Sequence, residues 1–328
     1  MLYYIIHRVL YMFVVLLLVS IAAFIIIQLP PGDYLTSFIM QLEKAGGKVN
    51  ESQIAILERQ FGLDQPLLIR YFKWIWKMLC GNFGISFQWG KPVSELIAAR
   101  LPLTVALSLF TLVFIYAVAI PIGIYSAIKQ YSIGDYTFTV IGFAGLAIPN
   151  FLLALVLMFI LYKYFGLSVI GLFSPKYVVA PWDLGKLIDM LKHFPVPIII
   201  IGTSGTAGLI RVMRGCLLDE LKKQYVITAR AKGISERTLL FKYPVRMAIN
   251  PIISTIGWIL PAIVSGETIT AIVLNLPTTG PLLLSALMTQ DMYLAASTVM
   301  FLTFLTVIGT LISDILLVLL DPRIRYKK

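Results

Sequence analysis

The chain has 328 residues, of which 59% are hydrophobic and only 13% charged, with a mean hydropathy of +0.89. Those figures exceed what a soluble core of this size uses and point to a polytopic membrane protein. The formal net charge of +11 does not call for nucleic acid, because the basic residues lack the interleaved aromatic platform of a single-strand binder and membrane orientation accounts for most of them.

Six apolar runs follow one another, at 9–29, 103–128, 136–162, 194–210, 251–272 and 294–320. Most reach the ~20 residues that a helix needs to cross ~30 Å of hydrocarbon. The first is too long for the apolar region of a signal peptide, and no A-x-A-like cleavage site precedes the polar stretch after it, so it reads as a retained span. The fold class expected is an all-α integral membrane protein of six transmembrane helices, with a small helical extracytoplasmic insertion between the first and second. Residues 1–29 form the first span, 30–100 the insertion, and 101–328 a five-helix core. Short segments on one side hold Arg8, Lys129, nine basic residues at 211–246, and Arg323, Arg325, Lys327 and Lys328. The positive-inside rule therefore places both termini of this multi-pass chain in the cytoplasm.

The insertion carries two amphipathic segments. In NESQIAILERQFG, 50–62, Asn50 and Gln53 resemble a capping box, Ile54, Leu57 and Phe61 share a face, and Gly62 suits the position after a helix. Pro66 can open a second helix with Leu68, Phe72, Ile75 and Leu79 along one stripe and Trp74 and Trp76 nearby. Amphipathicity alone does not choose between reception of a partner protein and repose on the bilayer surface.

The sequence lacks several kinds of chemistry. It has no G-x-x-x-x-G-K-[ST], G-x-G-x-x-G, H-E-x-x-H or G-x-S-x-G, so it binds no ATP through a P-loop of its own and offers no catalytic residues. Cys80 and Cys216 fall on opposite sides of the membrane, and with His7 and His193 as the only histidines no metal site is expected. Glu267 and Asp314 are the ionisable residues clearly within spans. Glu267 reads either as an interfacial carboxylate or as a polar contact at the outer gate, and Asp314 as the partner of an inner-face arginine. In the fourth run Gly202, Gly205, Ala207 and Gly208 stand among Thr203, Ser204 and Thr206. This surface permits close helix packing, and its hydroxyls are candidates to line a translocation path with Glu267.

The loop at 211–246 is far longer than a reversal of direction needs. Within it QYVITARAKG, 224–233, reads as a short helix with small Ala229 and Ala231 and a left-handed stop at Gly233. Ser235 can cap a second helix, which Pro244 ends before Pro251 opens the fifth span. Two short helices on an inner loop suit docking of another protein.

The T-A-R-A-K-G core of 228–233, Tyr225 before it, the R-x-x-R pair Arg211 and Arg214, and RMAINP at 246–251 together resemble the cytoplasmic signature of binding-protein-dependent ABC importer permeases, dipeptide/oligopeptide/nickel type. The likeness extends to LPPGDY near the end of the first span, FGLDQP at 61–66, GNFGIS at 81–86, Pro92 and Val93, IPNF at 148–151 and DPRIR at 321–325. The resemblance implies a permease subunit for short peptides, or for oligosaccharides or nickel chelates. Its partners would be a second related permease subunit, two cytoplasmic ATPases and an extracytoplasmic solute-binding protein. ATP and Mg would bind those ATPases, and this chain would hold no cofactor of its own. It also makes Tyr225, Thr228, Ala229, Arg230, Ala231, Lys232 and Gly233 the ATPase-contact residues of a coupling helix. One departure stands in AIVLNLPTTG, 271–280, where Ala271 occupies the place of a usual acid and Thr278 that of a usual glycine; Glu267 could supply the acid from the same helix face. An ATP-independent carrier or channel is the rival reading, and it would need no docking helix.

Overall fold

The structure, a computed structural model, describes residues 2–28, 65–257, 259, 262–263 and 268–320. Its helices in chain order are α1 (Leu2–Gln28), α2 (Leu67–Leu79), α3 (Val93–Ile128), α4 (Ile133–Ala147), α5 (Asn150–Phe165), α6 (Pro175–Val178), α7 (Leu184–His193), α8 (Pro195–Leu221), α9 (Gln224–Ala231), α10 (Glu236–Lys242), α11 (Pro244–Ser254), α12 (Thr268–Val273), α13 (Thr279–Met288) and α14 (Met292–Leu320). Among the described residues the only extended pairing is an isolated antiparallel bridge, Ile85 to Pro92. The all-α membrane architecture holds. The expected helix at 50–62 with its Asn50 cap, the LPPGDY and DPRIR motifs, and Glu267 lie outside the described residues.

Helices α1, α3, α8 and α14 are long and apolar enough to cross a membrane, and α4 with α5 makes a fifth candidate as a bent pair. The single straight span expected at 136–162 is instead broken by 105°. Its cause is Pro149, which lacks an N–H and pushes Ile148 out of the helical region to φ −84°, ψ 120°. The expected fifth span is described only in part.

The chain divides into two compact units. One comprises Met1–Ile5, Thr104–Pro277 and Ile308–Lys328. Its centre is α8, packed on α4, α5, α7 and α11. Small residues permit this: a Cβ on Gly202 would stand 2.8 Å from Phe114 of α3, and one on Gly205 2.8 Å from Ile115. The packing reading of the glycines therefore holds at these two positions, whereas Gly208 has nothing within 4 Å. Pro195 opens α8 at a first-turn position where a missing N–H costs nothing. The helix continues past the expected end of the span to Leu221, so Arg211 and Arg214 sit on α8 rather than in a loop. At the other end of the inner segment, Pro244 opens α11 and Pro251 lies inside it. Pro244 is thus a starter of this helix, and not only the stop of the one before.

The other unit comprises Ile6–Leu103 and Thr278–Val307. Its core joins Val93, Leu96 and Ile97 of α3 to Leu282 and Ala286 of α13 and Leu294 and Ala295 of α14. Asp291, fully buried, caps α14 by accepting from Leu294 N at 3.2 Å, and also accepts from Ser86 Oγ at 2.5 Å and Gln88 N at 3.2 Å. Helix α2 packs against α1 through Tyr71, whose hydroxyl lies 2.7 Å from Ser20 Oγ, and through Trp74, 5.9 Å from the Phe24 ring. In the expected stripe Leu68, Phe72 and Leu79 are exposed and Ile75 is half-buried.

Candidate functional site

The basic inner segment folds as two short helices set after α8. Lys223 takes an extended conformation and ends the α8 direction, and α9 then runs for eight residues. Gly233, at φ +72°, closes it, with its N–H donating to Arg230 O at 3.0 Å and Ile234 N to Ala229 O at 3.4 Å. Only glycine adopts this backbone without strain, so the stop read from the sequence is present and has a steric cause. Ser235 occupies the N-cap position of α10, but its hydroxyl bonds to Thr238 Oγ1 at 2.9 Å rather than to a backbone N–H.

The two helices share a miniature core. Val226 and Ala229 of α9 bury against Leu239 of α10, with Ile234 and Tyr243 at the edge. Ala229 is therefore turned inward, and its small size serves the contact between α9 and α10. Gln224, Ile227, Thr228 and Ala231 are exposed. Their i, i+3, i+4, i+7 spacing places them on one outward face. Ile227 lies outside the T-A-R-A-K-G motif, and only the helical period through Thr228 and Ala231 points to it.

The charged and aromatic members of the motif hold the helix in place. Arg230 grips Glu236 with both ends of its guanidinium, Nε to Oε1 at 2.5 Å and an Nη to Oε2 at 3.1 Å. This pairing holds the Glu236 carboxyl below the usual carboxylate range and raises the arginine. The Tyr225 hydroxyl donates to Glu220 near the end of α8. Burial, that hydrogen bond and the Glu220 charge together push the phenol up from its ordinary value. Lys232 and Gly233 are exposed beyond the end of α9.

A second tie anchors the base of this assembly. Arg214 of α8 donates to Asp135 at the start of α4, Nε to Oδ1 at 3.0 Å and Nη2 to Oδ2 at 2.9 Å. Asp135 also accepts from Tyr131 N at 3.0 Å, while its own N–H donates to Ser132 Oγ at 3.2 Å. In the sequence Arg214 belonged to the R-x-x-R pair and to the inner positive charge, and nothing there marked Asp135 as its partner.

Of the candidate path residues, Thr203, Ser204 and Thr206 lie on α8, and Glu267 is outside the described residues. Thr203 Oγ1 donates back to Ile199 O at 2.5 Å, and its methyl faces Gly145 of α4. Thr206 is buried, with its hydroxyl unmatched among the described residues, and Ser204 lies about 100° round the helix from Thr203. Ala271 is buried within its unit, and Thr278 precedes α13 in extended conformation.

The sequence model of the family described as "Binding-protein-dependent transport system inner membrane component" matches residues 119–326, and its N-terminal companion matches 1–108. The chain is 35% identical to the oligopeptide transport system permease protein AppB of Bacillus subtilis, over 98% of this chain and 99% of that one. It is 28% identical to the dipeptide transport system permease protein DppB of Escherichia coli, over 94% and 95% respectively.

Proposed function

Because the chain belongs to the family of inner membrane components of binding-protein-dependent transport systems, we propose that it is a permease subunit of an ATP-driven importer of short peptides, coupled to its ATPase through α9. The observation that carries the coupling is the outward face of Gln224, Ile227, Thr228 and Ala231, presented on a clamped pair of helices at the end of the central helix α8. A smooth, rigid, unpaired face of this kind suits insertion into a groove, and tilting it would carry α8 along as a lever. The cargo class follows the names of the two relatives.

In this reading a second related permease subunit completes the path, two cytoplasmic ATPases bind ATP and Mg, and a solute-binding protein delivers peptide at the opposite face. Residues 30–100 form the extracytoplasmic region, 211–246 form the coupling region of the 101–328 core, and both termini are cytoplasmic. Lys232 and Gly233 border the docking face, while Tyr225 and Arg230 orient it.

Two substitutions test the coupling. Ile227→Asp, on the exposed face, should leave membrane insertion intact and abolish ATPase co-purification and labelled-tripeptide uptake in cells. Gly233→Val has nothing to strike within 4 Å but places a β-branched residue in the left-handed region at a cost of roughly 1–2 kcal/mol, and should cut coupling in the same way. Full uptake by both variants would remove α9 from the mechanism.

A further inference from the structure

Helix α2 has three sectors. Tyr71 and Trp74 face α1 and bond or stack there. About a third of a turn away, Leu68, Phe72, Trp76 and Leu79 are 73%, 65%, 69% and 77% exposed, with Ile69 beside them. The remaining sector carries Arg70, Lys73 and Lys77, and the helix contains no acidic residue. A helix docked in a soluble protein would turn this second apolar sector inward, and a helix meant for water would not have it.

We infer that α2 is a lipid-binding element: it lies in the headgroup region at the C-terminal end of α1, with Leu68, Phe72, Trp76 and Leu79 in the acyl boundary and Lys73 and Lys77 on anionic phospholipid headgroups. Three observations select lipid over a protein partner. The helix is tied to the last turns of a membrane-spanning helix, through Ser20 and Phe24, which fixes it at the level where hydrocarbon gives way to headgroups. The exposed indole of Trp76 has the apolar body and polar tip that favour that level. The charge is of one sign and sits beside the apolar sector, the order of layers that an anionic bilayer surface presents.

The test uses the full-length chain in bilayer nanodiscs and reads the emission lost on Trp76→Phe, an exposed and conservative change. Trp76 should be quenched by lipids brominated on their tails and little by aqueous iodide. Brominated phosphatidylglycerol should quench at lower mole fraction than brominated phosphatidylcholine, and Lys73→Gln with Lys77→Gln should reduce that preference by roughly five-fold per lysine. Quenching by iodide would put α2 in water, and quenching by neither would put it against protein; either result overturns the inference. Tail quenching without any preference for the anionic lipid, or a preference that survives loss of both lysines, overturns the headgroup site.

Discussion

The Asp135 to Arg214 pair makes the sharpest energetic prediction. The two side chains are 4% and 27% exposed, respectively, and meet through two parallel charge-assisted bonds. Removing one partner leaves the other charge in a site it cannot abandon, which typically costs ~3–5 kcal/mol. Arg214 keeps some access to water, so Asp135→Leu should lie at the lower end, about 3 kcal/mol. Removing both charges is a different matter, since well-packed apolar replacements of a buried pair are often neutral. Asp135→Leu with Arg214→Met should therefore recover most of the loss, with a coupling energy of ~2–3 kcal/mol from the cycle. Folded fraction in mixed micelles against rising SDS measures all four chains. Single losses that simply add in the double variant, to within ~0.5 kcal/mol, would show that the two residues do not support one another and that α8 is not tied to α4 by charge.

Gly202→Ala should destabilise the chain in the same assay by roughly 1–3 kcal/mol, because the new methyl meets Phe114; Gly208→Ala, with open space around it, should stabilise by ~0.5–1 kcal/mol. Glu236 has a depressed folded pKa, so its clamp on Arg230 is present above the ordinary carboxylate value of about 4.3 and lost as pH falls through the folded value. A nitroxide at position 232, with Cys80 and Cys216 replaced by serine, should gain mobility on such acidification; unchanged mobility would show that the clamp does not order the end of α9.

Local signals were legible in the sequence where their causes are local: Gly233 after α9 acts through its own φ angle. Pro149 is as local a signal, yet the hydropathy of 136–162 runs unbroken across it, and composition hid a 105° bend that only the backbone restriction of Ile148 reveals. Facing was less legible for a different reason. In a membrane protein two apolar surroundings compete, the rest of the chain and the lipid, so a stripe does not say which one it meets. On α2 the stripe at 68, 72 and 79 turned outward, and on α7 Leu184, Leu187, Ile188 and Leu191 are exposed while Lys186 and Asp189 are buried. At the candidate site the motif marked the right helix. It did not reveal that Ala229 points inward or that Arg230 is held by Glu236, since both depend on where α10 folds back. The Asp135 to Arg214 tie spans 79 positions, beyond any periodicity.

The Ser86 hydroxyl reaches an aspartate 205 positions later in the chain. At ordinary synthesis rates that stretch takes about 10–40 s to emerge, so the end of the GNFGIS turn waits that long for its partner to be made. A chain cut short before residue 291 therefore lacks the carboxylate that receives Ser86 and Gln88, so a loss near its tail shows as an unsettled turn far nearer its head.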